Sequence, residues 1–253
     1  MKARFLPLLL NVLIGGHLVY AQTGNDNITG PAGIFNGEIT TAGDYDPYTT
    51  NVRRSLIDIL VGGSVGTQPL ALVRTYNSRN PNTNSYSFGW GGWRHNYEWG
   101  VADSPGVSLS QNFQPTSYTV SFPDGRSETF TNTGSTPWSA SSKGVVERFV
   151  PMNPPTNMKS YLLLNDGSKV EFTATQSSQT VDCGDPPTPP CTYYRYDFVA
   201  SAIYDAYGLK TTLTYANGAL SRVTEPALRY LQFYYTSISG STTISGATVI
   251  DLA

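Results

Sequence analysis

Charge is scarce in this sequence. Asp, Glu, Lys and Arg make up 13 % of its 253 residues, against roughly 25 % in ordinary soluble domains. The basic residues are scattered, and the one adjacent pair is Arg53-Arg54. Phosphate binding needs a clustered basic surface, so no nucleic-acid partner is expected. Histidine is scarcer still: His17 belongs to the N-terminal apolar run, which leaves His95. Together with Cys183 and Cys191 it makes too small and too widely spaced a donor set for zinc, and no metal is expected.

Other absences narrow the chemistry. Ala, Leu, Glu and Lys never accumulate into an amphipathic stretch of three turns, so little helix is expected. The glycine runs lack the Lys-Ser/Thr ending of a phosphate loop, and no Gly-x-Gly-x-x-Gly opens a helix, so no nucleotide cofactor is expected. Gly62-Gly63-Ser64-Val65-Gly66 fits the spacing of a hydrolase elbow, but Thr67-Gln68-Pro69 follows where a helix should start. No acid lies between Ser64 and His95, so the ordered triad is missing. A glycosidase needs only two separated carboxylates and 18 acids are present, yet Asp124 and Asp166 are accounted for by turns, and Glu128 and Glu171 by hairpin strands. No enzyme is expected, with a glycoside or ester hydrolase the third-ranked reading. Asp44-Tyr45-Asp46 lacks the further acids of an EF-type calcium loop and reads as a solvated turn.

What is present begins with a leader. Lys2 and Arg4 precede an apolar run, and Val19-Tyr20-Ala21 supplies a small-residue cleavage pattern, so residues 1–21 read as a secretory signal. Pro7, Asn11 and Gly15-Gly16 interrupt the run, which argues against a retained membrane helix, and no later stretch is long enough to span a bilayer. Cleavage leaves 232 of the 253 residues, with 14 basic against 18 acidic once Lys2 and Arg4 are gone. A secreted or cell-envelope location follows, and in that compartment the two cysteines favour one disulfide, Cys183–Cys191. Residues 22–51 form an extended polar leader containing the sequon Asn27-Ile28-Thr29, which matters only in a host that glycosylates.

Three of the four tryptophans fall between Pro69 and Trp99, in PLALVRTYNSRNPNTNSYSFGWGGWRHNYEW. Trp90, Trp93, Tyr97 and Trp99 fit a buried nucleus, because Gly89, Gly91 and Gly92 allow close chain packing around the rings. They also fit an exposed sugar-stacking platform. Val52 to Val61 fits both a helical face and a strand face built on Ile57, Ile59 and Val61, and its ten residues bounded by Gly62-Gly63 lean to strand. Two hairpins follow from turn chemistry. Pro123-Asp124-Gly125 suits a three-residue loop with glycine in the left-handed region, which sets Val120 opposite Glu128 and Tyr118 opposite Phe130. Asn165-Asp166-Gly167 similarly sets Leu162 opposite Val170 and Leu164 opposite Ser168. Between them, Pro151 to Asn157 reads as a connector, and Ser139 to Val150 fits either a strand or a short helix. Gln176 to Thr192 reads as an exposed proline-rich loop.

"PLALVRTYNSRN" with "FGWGGWRHNYEW" resembles the opening segment of Rhs or YD-repeat proteins. Tyr204-Asp205-Ala206-Tyr207-Gly208, followed by Tyr215, Gly218 and Leu220 in "LTYANGALSRVT", is similar to the YD repeat itself. In the second copy Ala216 stands where Asp is usual, and the tyrosine-to-glycine spacing is one residue short. The resemblance spans about Val52 to Ala253. It implies an all-β fold of antiparallel hairpins and meander, forming the start of an Rhs-type β-shell. The implied organisation is a signal at 1–21, a leader at 22–51, an Rhs-like β domain at 52–175, a disulfide loop and connector at 176–200 and a YD-like segment at 201–253. The implied role is a non-enzymatic scaffold that encloses a cargo or presents a surface region, with downstream repeats or another β-edge as partner. The runner-up is a carbohydrate-binding or adhesive module whose tryptophans meet cell-surface glycans.

Overall fold

A computed structural model of the chain describes residues 45–46, 51–79, 92–103, 115–181, 191–238 and 241–251. All regular structure among them is β. The first sheet takes β1 (Tyr45–Asp46), β2 (Asn51–Leu60), β3 (Ala71–Asn77) and β4 (Trp93–His95) in chain order. The second is a twelve-stranded antiparallel meander, also in chain order. It runs through β5 (Gly100–Asp103), β6 (Ser117–Ser121), β7 (Ser127–Thr131), β8 (Trp138–Ala140), β9 (Arg148–Val150) and β10 (Lys159–Leu163). It continues with β11 (Lys169–Val181), β12 (Cys191–Tyr204), β13 (Lys210–Ala216), β14 (Ala219–Thr224), β15 (Tyr230–Ile238) and β16 (Ser241–Ile250). The expected all-β class and antiparallel meander are therefore what the chain forms.

Both turn-derived registers hold. Tyr118 faces Phe130 and Val120 faces Glu128, while Leu162 faces Val170 and the Leu164 amide donates to the Ser168 carbonyl. Gly125 and Gly167 both have φ of +83°. The alternation puts Tyr118, Val120, Phe130, Leu162, Val170 and Phe172 on one side, each at most 1 % exposed. Sheets twist with a fixed hand, and this one curls until β5 returns alongside β12, with Cα atoms within 8 Å and no ladder between them. The curl is filled with rings: Tyr118 meets Phe149 at 5.0 Å and the edge of Phe198 at 5.8 Å.

Where the sequence left alternatives, the structure chooses by side-chain burial. The Val52–Val61 stretch is strand as far as Leu60, but its apolar residues do not share one face. A bulge lets Asp58 slip out between Ile57, opposite Val73, and Ile59, opposite Leu72. Asp58 then accepts from Arg74 Nη2 at 2.8 Å, and Ile57 is turned outward at 65 % exposure. Ser139–Val150 holds the short strands β8 and β9 in place of a helix, with Phe149 fully buried. The expected loop at Gln176–Thr192 is shorter than its composition suggested. Strand pairing continues out to Val181 opposite Cys191, because the four prolines all lie within 186–190 and Thr180, Val181, Thr192, Tyr193 and Tyr194 nearest the loop are β-branched or aromatic. The meander also runs without a break through positions 175 and 200.

Four turns share one geometry. In each, a first residue's N–H donates to the carbonyl four residues on, and the fourth residue's N–H donates back. They span 122–126, 164–168, 205–209 and 225–229. The left-handed fourth position is glycine in three of them, Gly125, Gly167 and Gly208, but Leu228 in the last, at φ 71°. A side chain there costs about 1–2 kcal/mol, and Leu228 is 63 % exposed, so little packing offsets it. Leu228→Gly should raise stability by about 0.5 kcal/mol after the extra chain entropy of glycine is deducted. Urea denaturation showing a loss would mean that the leucine makes a contact worth more than its strain.

Candidate functional site

In a meander, turns separated by two strands come to the same end of the sheet. The four equivalent turns are so related, and the first sheet lies across that end. It is tied there at three places. At the 122–126 turn, Asn77 Nδ2 donates to the Asp124 carbonyl at 3.0 Å and Arg53 lies 3.6 Å from the Asp124 carboxylate. At 205–209, Asp205 Oδ2 accepts the Thr67 N–H at 3.0 Å. At 225–229, Arg229 donates to the carbonyls of Gly62 and Gly63 at 2.8 and 2.9 Å, while its Nε is bound by Glu225. The loop between β2 and β3 is thereby clasped by two successive turns. Gly66 sits so close that a Cβ there would lie 2.4 Å from Asp205 Oδ2.

Asp205, the acid of the YD-like motif, serves two purposes at once. Its Oδ1 accepts from the Tyr207 and Leu209 amides at 2.9 Å each, closing its own turn, while Oδ2 holds the loop. The Thr67 amide above all, with those of Leu209 and Tyr207, holds its carboxyl below the ordinary value of 3.8, against the opposing effect of burial. Since the folded state depresses this group, its contribution is present above the unfolded value and is lost as pH falls through the folded one. Asp205→Asn, which cannot accept at both oxygens, should melt lower than the native protein at neutral pH. The two melting curves should converge below about pH 4, the unfolded carboxylate range. A gap that persists to pH 2 would show that the effect is steric.

The remaining motif residues occupy distinct places. Tyr204 is half-buried on the outer face, Gly208 has φ +83° and Leu220 is in the core at 5 % exposure. Tyr215 packs against that core, and burial raises its phenol. Its shortened spacing is taken up by a two-residue turn in which Asn217 and Gly218 have φ of 51° and 78°. Both angles are positive, as a type I′ hairpin demands.

Among the described residues, Trp93, Tyr97 and Trp99 do not assemble into one exposed platform. Tyr97 is buried at 4 %, its Oη accepting the Ala71 amide at 3.2 Å. Trp99 packs on Phe122 at 5.4 Å, and Trp93 lies against Tyr76 at 5.5 Å with the Arg74 guanidinium over its face. His95 is buried, its ring 5.7 Å from Phe233, and burial lowers its basicity below the usual imidazole range. Its Nδ1 accepts the Tyr97 amide at 3.3 Å, which suits a neutral structural ring. A cavity of about 140 Å³ beside Tyr97 and Trp99 is well below the roughly 300–1,000 Å³ of small-molecule pockets. Ser64 of the Gly-x-Ser-x-Gly sequence lies in the clasped loop, with no helix after it. Cys191 begins β12. The signal, most of the leader, Asn27, Asp44, Trp90 and Cys183 lie outside the described residues, and so does the Cys183–Cys191 pairing.

Sequence reading did not find Asn77, Glu225 or Arg229. None carries a local motif, since their partners are 47 to 167 residues away or lie in a turn that lacks glycine. Comparison with protein-family models and with curated proteins finds no match for this sequence.

Proposed function

We propose that this chain is an exported, non-enzymatic structural module of the Rhs/YD-repeat kind, in which the first sheet caps one end of a curled β-shell that scaffolds or encloses other material. The observation that carries the reading is the triple attachment: Asn77 with Arg53, Asp205 and Arg229 each fix the first sheet to a different turn at one end of the meander. Residues so placed close an end; they do not converge on a reacting atom. The sequence resemblance supports the same role, and β16 supports an incomplete wall. It is ten residues long and uncharged, and its outer side is unpaired among the described residues. Such an edge recruits another strand.

The mature chain, residues 22–253, should therefore self-associate, and sedimentation velocity across a concentration series checks this. Lys substituted at Val249, which is 40 % exposed in β16, should shift the distribution toward monomer. A native chain that stays monomeric and melts sharply at high concentration overturns the shell reading.

A further inference from the structure

We propose that the outer face of β10–β13 binds a carboxylated sugar chain, with Lys169 and Lys210 meeting its acid groups and Tyr161 and Tyr204 offering ring surface. This rests on residues apart from the capping turns and does not depend on the end-cap reading.

The sheet register gathers charges that the sequence scatters. Lys169 lies opposite Tyr204, and Tyr204 lies opposite Lys210, so one ring is flanked by two lysines across three strands. Lys169 Nζ sits 4.6 Å from the Tyr204 ring centre and 5.3 Å from that of Tyr161, and Lys210 Nζ sits 5.9 Å from Tyr204. Neither ammonium has a carboxylate partner among the described residues. Tyr161 lies opposite Glu171 in the neighbouring row. A bulge after Glu171 brings Ser201 to the same face. Glu171 Oε1 accepts from Lys159 Nζ and Ser201 Oγ, both at 3.0 Å, and Oε2 accepts from Tyr204 Oη at 3.3 Å.

Three lysines against one carboxylate leave this face positive on a chain of net charge −2. Lysine stems held over aromatic rings are already ordered, so less side-chain freedom is lost when an anion binds. Lys169 and Lys210 are two strands apart, about 9–10 Å at roughly 4.8 Å per strand, which suits repeated charges along a polymer better than one small ion. The tyrosines decide which polymer: their faces take the C–H surface of a sugar ring, which a phosphate backbone lacks, while Glu171, only 3 % exposed, is spent on Lys159, Ser201 and Tyr204 and holds the platform in place.

The test is calorimetric titration of the mature chain with hexagalacturonate, with maltohexaose and a single-stranded oligothymidylate as the neutral and phosphate probes. Hexagalacturonate should bind, weaken as salt is raised and lose about tenfold in affinity or more, about 1.4 kcal/mol, in Lys169→Gln/Lys210→Gln, whose melting temperature should match the native protein. Tyr161→Ala should weaken uronate binding without altering its salt dependence. No uronate binding, binding undiminished in the double variant, or tighter binding of oligothymidylate or maltohexaose overturns the proposal.

Discussion

Gly125→Val is expected to cost about 3 kcal/mol or more, two separate penalties falling on one atom. The first is backbone: φ is +83°, where an L residue pays about 1–2 kcal/mol and a β-branched one more. The second is contact, because a Cβ at Gly125 would lie 2.9 Å from the Asn77 Cβ. Asn77 can retreat only by giving up its hydrogen bond to the Asp124 carbonyl, which adds the cost of unpairing a partly buried amide. Domains are stable by only about 5–15 kcal/mol in total, so the variant should lose a large share. Gly134→Val separates the two terms, since Gly134 has φ +85° but nothing within 4 Å of an added Cβ. It should lose only the backbone part. Equal losses for the two variants in urea denaturation would show that the Asn77 contact contributes nothing, leaving the Arg53–Asp124 pair as the attachment of the first sheet to this turn.

Why some of this was legible and some was not follows from the range of each interaction. Pro123-Asp124-Gly125 and Asn165-Asp166-Gly167 encode their hairpins within three residues, and alternation then sets the register and the buried face. The 225–229 turn has the same hydrogen bonds but carries Leu228 where the others carry glycine, so its local signal is missing. Strand periodicity puts Ile57 on one face with Ile59 and Val61, but the Asp58 bulge reverses its direction, because period-two reasoning cannot see an inserted residue. Thr67 with Asp205 and Gly62 with Arg229 join positions 138 and 167 residues apart, and no pattern of single residues reports such pairs. The lysine face has the same origin. Lys159, Lys169 and Lys210 look isolated along the chain, and only the ordering of β10 to β13 makes them neighbours.

Phe149→Ala should cost about 3–5 kcal/mol, the usual range for deleting a buried phenyl ring. Phe149 is fully buried, 5.0 Å from the Tyr118 ring and 5.8 Å from Phe130, so its removal opens a cavity on the inside of the curl where three rings meet. The strand that carries it is weak by itself. β9 has three residues and pairs with Trp138 on one side and Tyr161 to Leu163 on the other, and its polar neighbour Arg148 faces outward and donates to the Val146 carbonyl. The ring, more than the ladder, holds β8 and β9 in the wall, and the meander depends on them to join β7 to β10. Phe149→Leu, which keeps most of the apolar volume, should recover more than half of the loss. Both are read from two-state urea curves, with the m-value checked for constancy. If Phe149→Ala loses less than about 1 kcal/mol, below any figure for an interior aromatic, β8 and β9 do not form part of a continuous wall, and the twelve-stranded curl must be redrawn as two sheets.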